Sequence, residues 1–204
     1  MKRVITIDGP SGVGKTTIGL EIATKLNYSF FSSGKLYRYV AKYLDDEKNI
    51  KFNEIEIIID NDTNCFINNQ SYKDEQLYNK KINNYSSEIA KDTAVRELIK
   101  TTLLNYYEDI DNGLVIEGRD MGSVVFPNAD IKFYLDADEE TRGKRRENQS
   151  GSQETIEDVI QRDHKDMHRE ASPLVIPENA IIIDNSKKSK AETVDEIIKK
   201  LKLL

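Results

Sequence analysis

The sequence predicts an α/β fold: a doubly wound parallel sheet flanked by helices. Three observations carry this. Short apolar runs recur along the chain, helix-compatible stretches separate them, and the first run leads into a glycine-rich turn followed by a helix. Apolar runs without a polar face suit strands buried on both sides, as parallel strands are. Strands alternating with helices build the open, doubly wound sheet. Ligands of such sheets gather at the carboxyl ends of the strands, so the residues just after each strand are read first for function.

The elements follow in order. Val4–Ile7 is the first strand, and Thr16–Leu26 is the helix after the turn, apolar-periodic from Ile18. Tyr28–Phe31 is a short second strand. Residues 45–85, rich in Asn, Asp, Lys and Ile, break the rhythm and read as a small insertion beside the core. Within them Ile55–Ile59 and Cys65–Ile67 are strand candidates, with Asn61-Asp62 placed to turn a hairpin. Val95–Tyr107 is a helix, and Leu114–Ile116 and Ile131–Leu135 are strands. Glu139–Glu147 and Glu154–His168 are helices on either side of a polar loop at 148–153. Ala180–Ile183 is the last strand. Glu192–Leu203 is a helix with Val194, Ile197, Ile198 and Leu201 at helical spacing, and its terminal lysines suit the negative helix end.

Composition narrows the function. The 204 residues suffice for one domain with its own core and small insertions. A net charge of −6 argues against a general nucleic-acid binder. Cys65 is the single cysteine, so no intrachain disulfide framework or thiolate zinc site is expected. No apolar run approaches the ~20 residues of a membrane span, and no signal-peptide pattern precedes the first strand. A cytoplasmic location, without membrane or nucleic-acid partners, is the expectation.

The turn after the first strand carries the strongest signal. Gly9-x-x-x-x-Gly14-Lys15-Thr16 matches the phosphate-binding loop pattern in full, with the strand before it and the helix after it. Its glycines allow backbone angles closed to other residues, so the loop can turn N–H groups around a phosphate. The helix adds its positive N-terminal end. Gly9, Pro10, Ser11, Gly12, Val13, Gly14, Lys15, Thr16 and Thr17 are therefore the expected ATP-binding set, with Lys15 a cation for the transferred phosphoryl group and the Thr16 hydroxyl a Mg2+ ligand. A ligand-free glycine turn is the alternative, disfavoured because every part of the motif stands in order.

Arginine is the second theme. Arg38, Arg96, Arg119, Arg142, Arg145, Arg146, Arg162 and Arg169 are spread along the chain, several of them just after strands or beside the polar loop. Phosphoryl transfer between anionic molecules needs such charge, delivered by a planar, permanently ionised fork. Any one of them read alone is a solvated surface residue. Gly118-Arg119-Asp120-Met121-Gly122 follows a strand, where an Arg-Asp pair can bind a phosphate and a base amino group or form a buried structural ion pair. Ser32-Ser33-Gly34-Lys35-Leu36-Tyr37-Arg38 follows the second strand in the same way.

These segments carry a resemblance. Ile7 to Lys15, Ser33 to Arg38, Gly118 to Pro127, and Arg162 to Arg169 with Ser172-Pro173-Leu174-Val175 resemble the bacterial cytidylate kinase family of nucleoside monophosphate kinases, over most of the chain. The Gly-Arg-Asp-Met-Gly block is more specific than the phosphate loop. The resemblance implies a P-loop kinase fold, with core 1–32 and 95–204, a monophosphate-binding insertion 33–94 and a short lid 142–160. It implies transfer from ATP, with Mg2+, to CMP or dCMP, by a monomer working in pyrimidine metabolism. Ser33, Arg38 and Arg119 would hold the acceptor phosphate, and Ser87, Arg96 and Asp120 would read cytosine. Arg162 and Asp166 would meet the ribose, with Arg169 nearby. Arg142, Arg145 and Arg146 resemble the lid arginines and, with Lys15 and Arg119, form the catalytic set.

The chain departs from the family pattern at four places. Glu117 stands for Asp, Ser32 for Asp, Thr16-Thr17 for Gly-Thr, and Lys35 for a small residue; the insertion is also shorter. Two other functions compete. Another small-molecule P-loop kinase would lack the cytosine-reading set. A GTP-dependent switch needs Asn-Lys-x-Asp, and the nearest stretch, Asn79-Lys80-Lys81-Ile82, lacks the final Asp, while no Asp-x-x-Gly occurs. His164 and His168 are four apart on a predicted helix without a third metal ligand, so locally bonded histidines are expected there.

Overall fold

The computed structural model describes residues 2–47, 52–150 and 155–203, which form two compact units, Met1–Phe31 with Asn112–Leu204, and Ser32–Asp111.

The first unit is built on a five-stranded sheet. Its strands are β1 (Val4–Asp8), β2 (Ser29–Ser32), β5 (Leu114–Gly118), β6 (Ile131–Asp136) and β7 (Ile181–Asp184), in the order β2-β5-β1-β6-β7. β1 is parallel to both β5 and β6, and β6 to β7. Every residue of β1 and β5 is buried, which fits their mainly apolar sequences, with Thr6, Asp8 and Glu117 the polar exceptions. Ile7 pairs with Glu117 and Asp8 with Gly118. That register brings the start of the phosphate loop level with the Gly118–Gly122 block.

Helices cover the sheet. α1 (Lys15–Leu26) buries Ile18 and Ile22, and α8 (Lys190–Leu201) buries Val194 and Ile197. These residues pack with Ile5, Ile7, Phe133 and Leu135 in one core. Full burial of each aliphatic side chain contributes roughly 1.5–3 kcal/mol. α1 ends at Asn27, left-handed at φ 56°, a conformation that Asn tolerates better than most residues. Ser189 and Glu192 form a capping box that starts α8. α6 (Glu139–Ser150) runs three residues further than predicted, so 148–150 of the expected polar loop is helical. Residues 151–153 and Glu154 lie outside the described residues, and α7 spans Ile156–His168.

The second unit holds α2 (Ser33–Asp46), α3 (Asp74–Leu77), α4 (Lys80–Ile89), α5 (Thr93–Asp109) and a hairpin of β3 (Ile57–Ile59) and β4 (Cys65–Ile67). The hairpin is antiparallel, with Ile58 opposite Phe66. Its turn is organised by Asp60, whose carboxylate accepts from Asp62 N, Asn64 N and Asn64 Nδ2. The predicted Asn61-Asp62 turn is thus the middle of a longer one. Residues 55 and 56, expected in the strand, precede it. α5 belongs to this unit, whereas the sequence-based boundary at 94 groups it with the core. Among the described residues no helix is long and apolar enough to cross a membrane.

Candidate active site

The loop after β1 is shaped by glycines that nothing else can replace. Gly9 sits at φ 148°, and a Cβ there would lie 2.2 Å from the Leu135 carbonyl oxygen. Gly12, at φ 79°, would place a Cβ 2.5 Å from the Arg142 carbonyl oxygen. Lys15 turns back over the loop, its Nζ donating to Gly9 O at 2.8 Å and Pro10 O at 2.7 Å. Burial, followed by the nearby Arg119 charge, lowers its pKa to about 7, against the pull of Glu117, Asp163 and Asp8. Thr16, exposed at the first turn of α1, donates to Glu117 Oε1 at 2.9 Å. A hydroxyl and a carboxylate side by side are a donor set for a hard divalent cation. Thr17 follows, exposed.

Ser11 ties this loop to three other segments. Its N–H donates to Asp163 Oδ1 at 2.8 Å, its carbonyl accepts from Arg142 at 3.1 Å, and its Oγ accepts from Arg119 at 2.9 Å. Arg142 also pairs with Asp163 and donates Nε to Ala137 O at 3.0 Å. Only 5% exposed, Arg142 braces the loop from the interior. Arg145 docks on Asn185, and Arg146 and Arg162 are half-buried.

The Gly118–Gly122 block is anchored by Asp8. Its carboxylate accepts from Met121 N at 2.9 Å and Gly122 N at 2.7 Å. Burial pushes the Asp8 pKa up to about 6, despite those two N–H groups. The anticipated Arg119–Asp120 ion-pair alternative is resolved otherwise: Arg119 Nε pairs with Asp166 at 3.0 Å, and Asp120 faces Arg169 at 4.0 Å. Arg169 closes the set by pairing with Asp166 at 3.2 Å and donating to Ser172 O at 2.7 Å. Burial works against the Arg119 charge, but Asp166, Asp163 and Glu117 outweigh it and raise its pKa. Arg119, Asp120, Asp166 and Arg169 are therefore joined in one ion-pair network in this unit, with the Lys15 charge close enough to feel that of Arg119.

The second unit gathers its own set. Ser33 is buried at the start of α2. Arg38 donates Nε to Asn83 Oδ1 at 2.9 Å and lies over the Tyr78 ring. Ser87 Oγ donates to the Asn83 carbonyl at 3.1 Å. Arg96 donates to Ala90 O at 2.8 Å and faces the Tyr37 ring. Asn83, which holds both Arg38 and Ser87, went unread in the sequence. So did Asp8, Asp163 and Asn185. For these three, a position at a strand end or inside the Arg162–Arg169 motif was the available signal; Asn83, inside α4, carries none.

The histidines stack at 4.1 Å, with His168 Nδ1 at 2.8 Å from His164 O. Among the described residues no group of three or more His, Cys, Asp or Glu is placed to hold a metal. Cys65 is buried, its thiol pushed up to about 11 by burial.

A family model described as Cytidylate kinase matches residues 5–203. The chain belongs to the cytidylate kinase family. A cytidylate kinase of Thermodesulfovibrio yellowstonii is 36% identical over 98% of this chain and 98% of its own length. One from Clostridioides difficile is 37% identical, again over 98% of each. The shikimate kinase of Bacteroides thetaiotaomicron overlays 98% of this chain and 98% of its own at a TM-score of 0.51 and 15% identity, a likeness of fold alone. Membership of the cytidylate kinase family makes the chain a nucleoside monophosphate kinase, a phosphotransferase on a P-loop kinase fold. The resemblance read from the motifs is borne out.

Proposed function

We propose that this chain transfers the γ-phosphoryl group of ATP to CMP or dCMP, giving CDP or dCDP. The observation that carries the reading is the Gly118–Gly122 block, pinned by Asp8 level with a complete phosphate loop, in a chain of the cytidylate kinase family. In this reading the enzyme acts as a monomer in cytoplasmic pyrimidine metabolism.

The loop residues Gly9 to Thr17 hold ATP. Lys15 exchanges its two carbonyl partners for phosphate oxygens and follows the transferred group. Thr16 and Glu117 are the side chains that would hold Mg2+, which supplies charge neutralisation on the donor phosphates. Transfer is in line and direct, so the protein contributes positioning, charge and water exclusion. Arg119, with Ser33 and Arg38, orients the acceptor phosphate, and Arg145 and Arg146 add charge. Arg142 contributes through the loop it braces. Arg162, Asp166 and Arg169 address the ribose side of the acceptor. Asp120 accepts from the cytosine N4 amino group, while Ser87 and Arg96 donate to O2 and N3.

Asp120→Ala tests the base assignment. The expected result is a rise of roughly ten- to a hundredfold in the KM for CMP with the KM for ATP near wild type. Equal changes in both would make Asp120 a structural partner of Arg169 only.

The lowered Lys15 pKa gives a second test. Above about pH 7 the ligand-free lysine is largely neutral, and a bound polyphosphate favours its charged form, so binding takes up a proton. At pH 8 the expected uptake on ATP binding is roughly 0.9 proton, falling towards zero by pH 6. Calorimetric titration in buffers of different ionisation heat measures it. No uptake at pH 8 would place the ammonium outside the phosphate site.

A further inference from the structure

We propose that Asn185 is a positioning residue for phosphoryl transfer, tying the phosphate loop to Arg145 of α6. It stands first after β7, at the carboxyl edge of the sheet, and is 2% exposed. Each of its polar groups is engaged. The backbone N–H donates to Asp136 O at 2.9 Å, and the backbone carbonyl accepts from Arg145 at 3.0 Å. The side-chain Oδ1 accepts from the other Arg145 amino group at 2.9 Å, and Nδ2 donates to Val13 O at 2.9 Å. Guanidinium only donates and a carbonyl only accepts, so these partners fix which end of the amide is oxygen.

The bond to Val13 sets the direction of a peptide in the loop. In a planar trans peptide the carbonyl and the following N–H point in opposite directions. With Val13 O held towards Asn185, the Gly14 N–H faces away from it, available to the concave side where loop N–H groups gather on a phosphate. Gly14, at φ 88°, has the backbone freedom to let this peptide flip. Asn185 opposes that flip. The same amide accepts one amino group of Arg145 and the Asn185 backbone carbonyl accepts the other, so one residue orients a loop donor and an arginine of the site together. A second link from α6 to the loop runs through Arg142 to Ser11. Two such links, three residues apart, make the start of α6 part of the loop's support. The inference rests on the reading of residues 9–17 as the ATP site.

Two variants of the full chain test it. Asn185→Leu keeps the branching of the side chain but removes both of its hydrogen bonds, leaving Arg145 only the backbone carbonyl. Asn185→Asp keeps an acceptor for Arg145 but sets an acceptor against the Val13 carbonyl. ADP affinity, KM for ATP and for CMP, kcat and Tm are measured on each. The expected result is a loss of about tenfold in ADP affinity and in kcat/KM for ATP with Asn185→Asp, a larger loss with Asn185→Leu, and a KM for CMP within twofold of wild type. If Asn185→Leu does not fold, Asn185→Asp carries the test alone. Wild-type ADP affinity in the variants, or equal changes towards ATP and CMP with a lower Tm, overturns the proposal. ADP binding needs no acceptor, so a chain that phosphorylates something other than CMP refutes the acceptor reading while the variants still decide Asn185. A wild-type chain that does not bind ADP overturns both.

Discussion

Lys15→Met is expected to cut kcat by about a thousandfold or more while the protein stays folded. Removing one preorganised donor from a developing negative charge costs about 10²–10³ in rate, and Lys15 brings a full charge as well. The stability cost is small for a specific reason. The ammonium is buried and bonded to two carbonyls, and its lowered pKa shows how costly that burial is. Methionine gives up the two bonds but also the buried charge, so the losses offset. ADP release under saturating nucleotides and a thermal melt measure the two effects separately. An unchanged kcat would remove Lys15 from the transfer step.

Arg119→Ala is expected to lower kcat/KM for CMP by about a hundredfold. The guanidinium reaches Ser11 Oγ and Asp166 together, so it links the phosphate loop to α7 while carrying charge for the acceptor phosphate. A charge-assisted bond of this kind contributes roughly 1.5–3 kcal/mol. Arg119→Lys separates charge from geometry, since an ammonium cannot span two partners as a fork does. Partial recovery with lysine would assign the loss to charge, and none would assign it to the fork. CMP affinity and rate unaltered in the alanine variant would take Arg119 out of the site.

The core was legible because its strands are short, mainly apolar runs, the inner ones β1 and β5 buried on both faces. All five strands of that sheet stand within two residues of their predicted ends. The second unit was much less so. α2 buries Leu36, Tyr39, Val40 and Tyr43, a helical spacing disguised by tyrosines and lysines. α4 buries Asn83 and Ser86 between Ile82 and Ile89, so half of its inner face reads as polar. Neither helix was predicted. The phosphate loop and the Gly118–Gly122 block were legible because each is a contiguous motif. The braces behind them were not, because each joins segments far apart in the chain. Ser11 meets Asp163 across 152 residues, and Val13 meets Asn185 across 172. Arg142 shows the consequence. The family resemblance places it among the lid arginines, whereas it is buried, paired with Asp163 and bonded to the Ser11 carbonyl of the loop.

The most direct measurement is ADP release from ATP with Mg2+ against CMP, dCMP, UMP, AMP and GMP in turn, with a no-acceptor control. Turnover confined to CMP and dCMP is the expected result. Strong turnover with another acceptor, or none above the control, would contradict it.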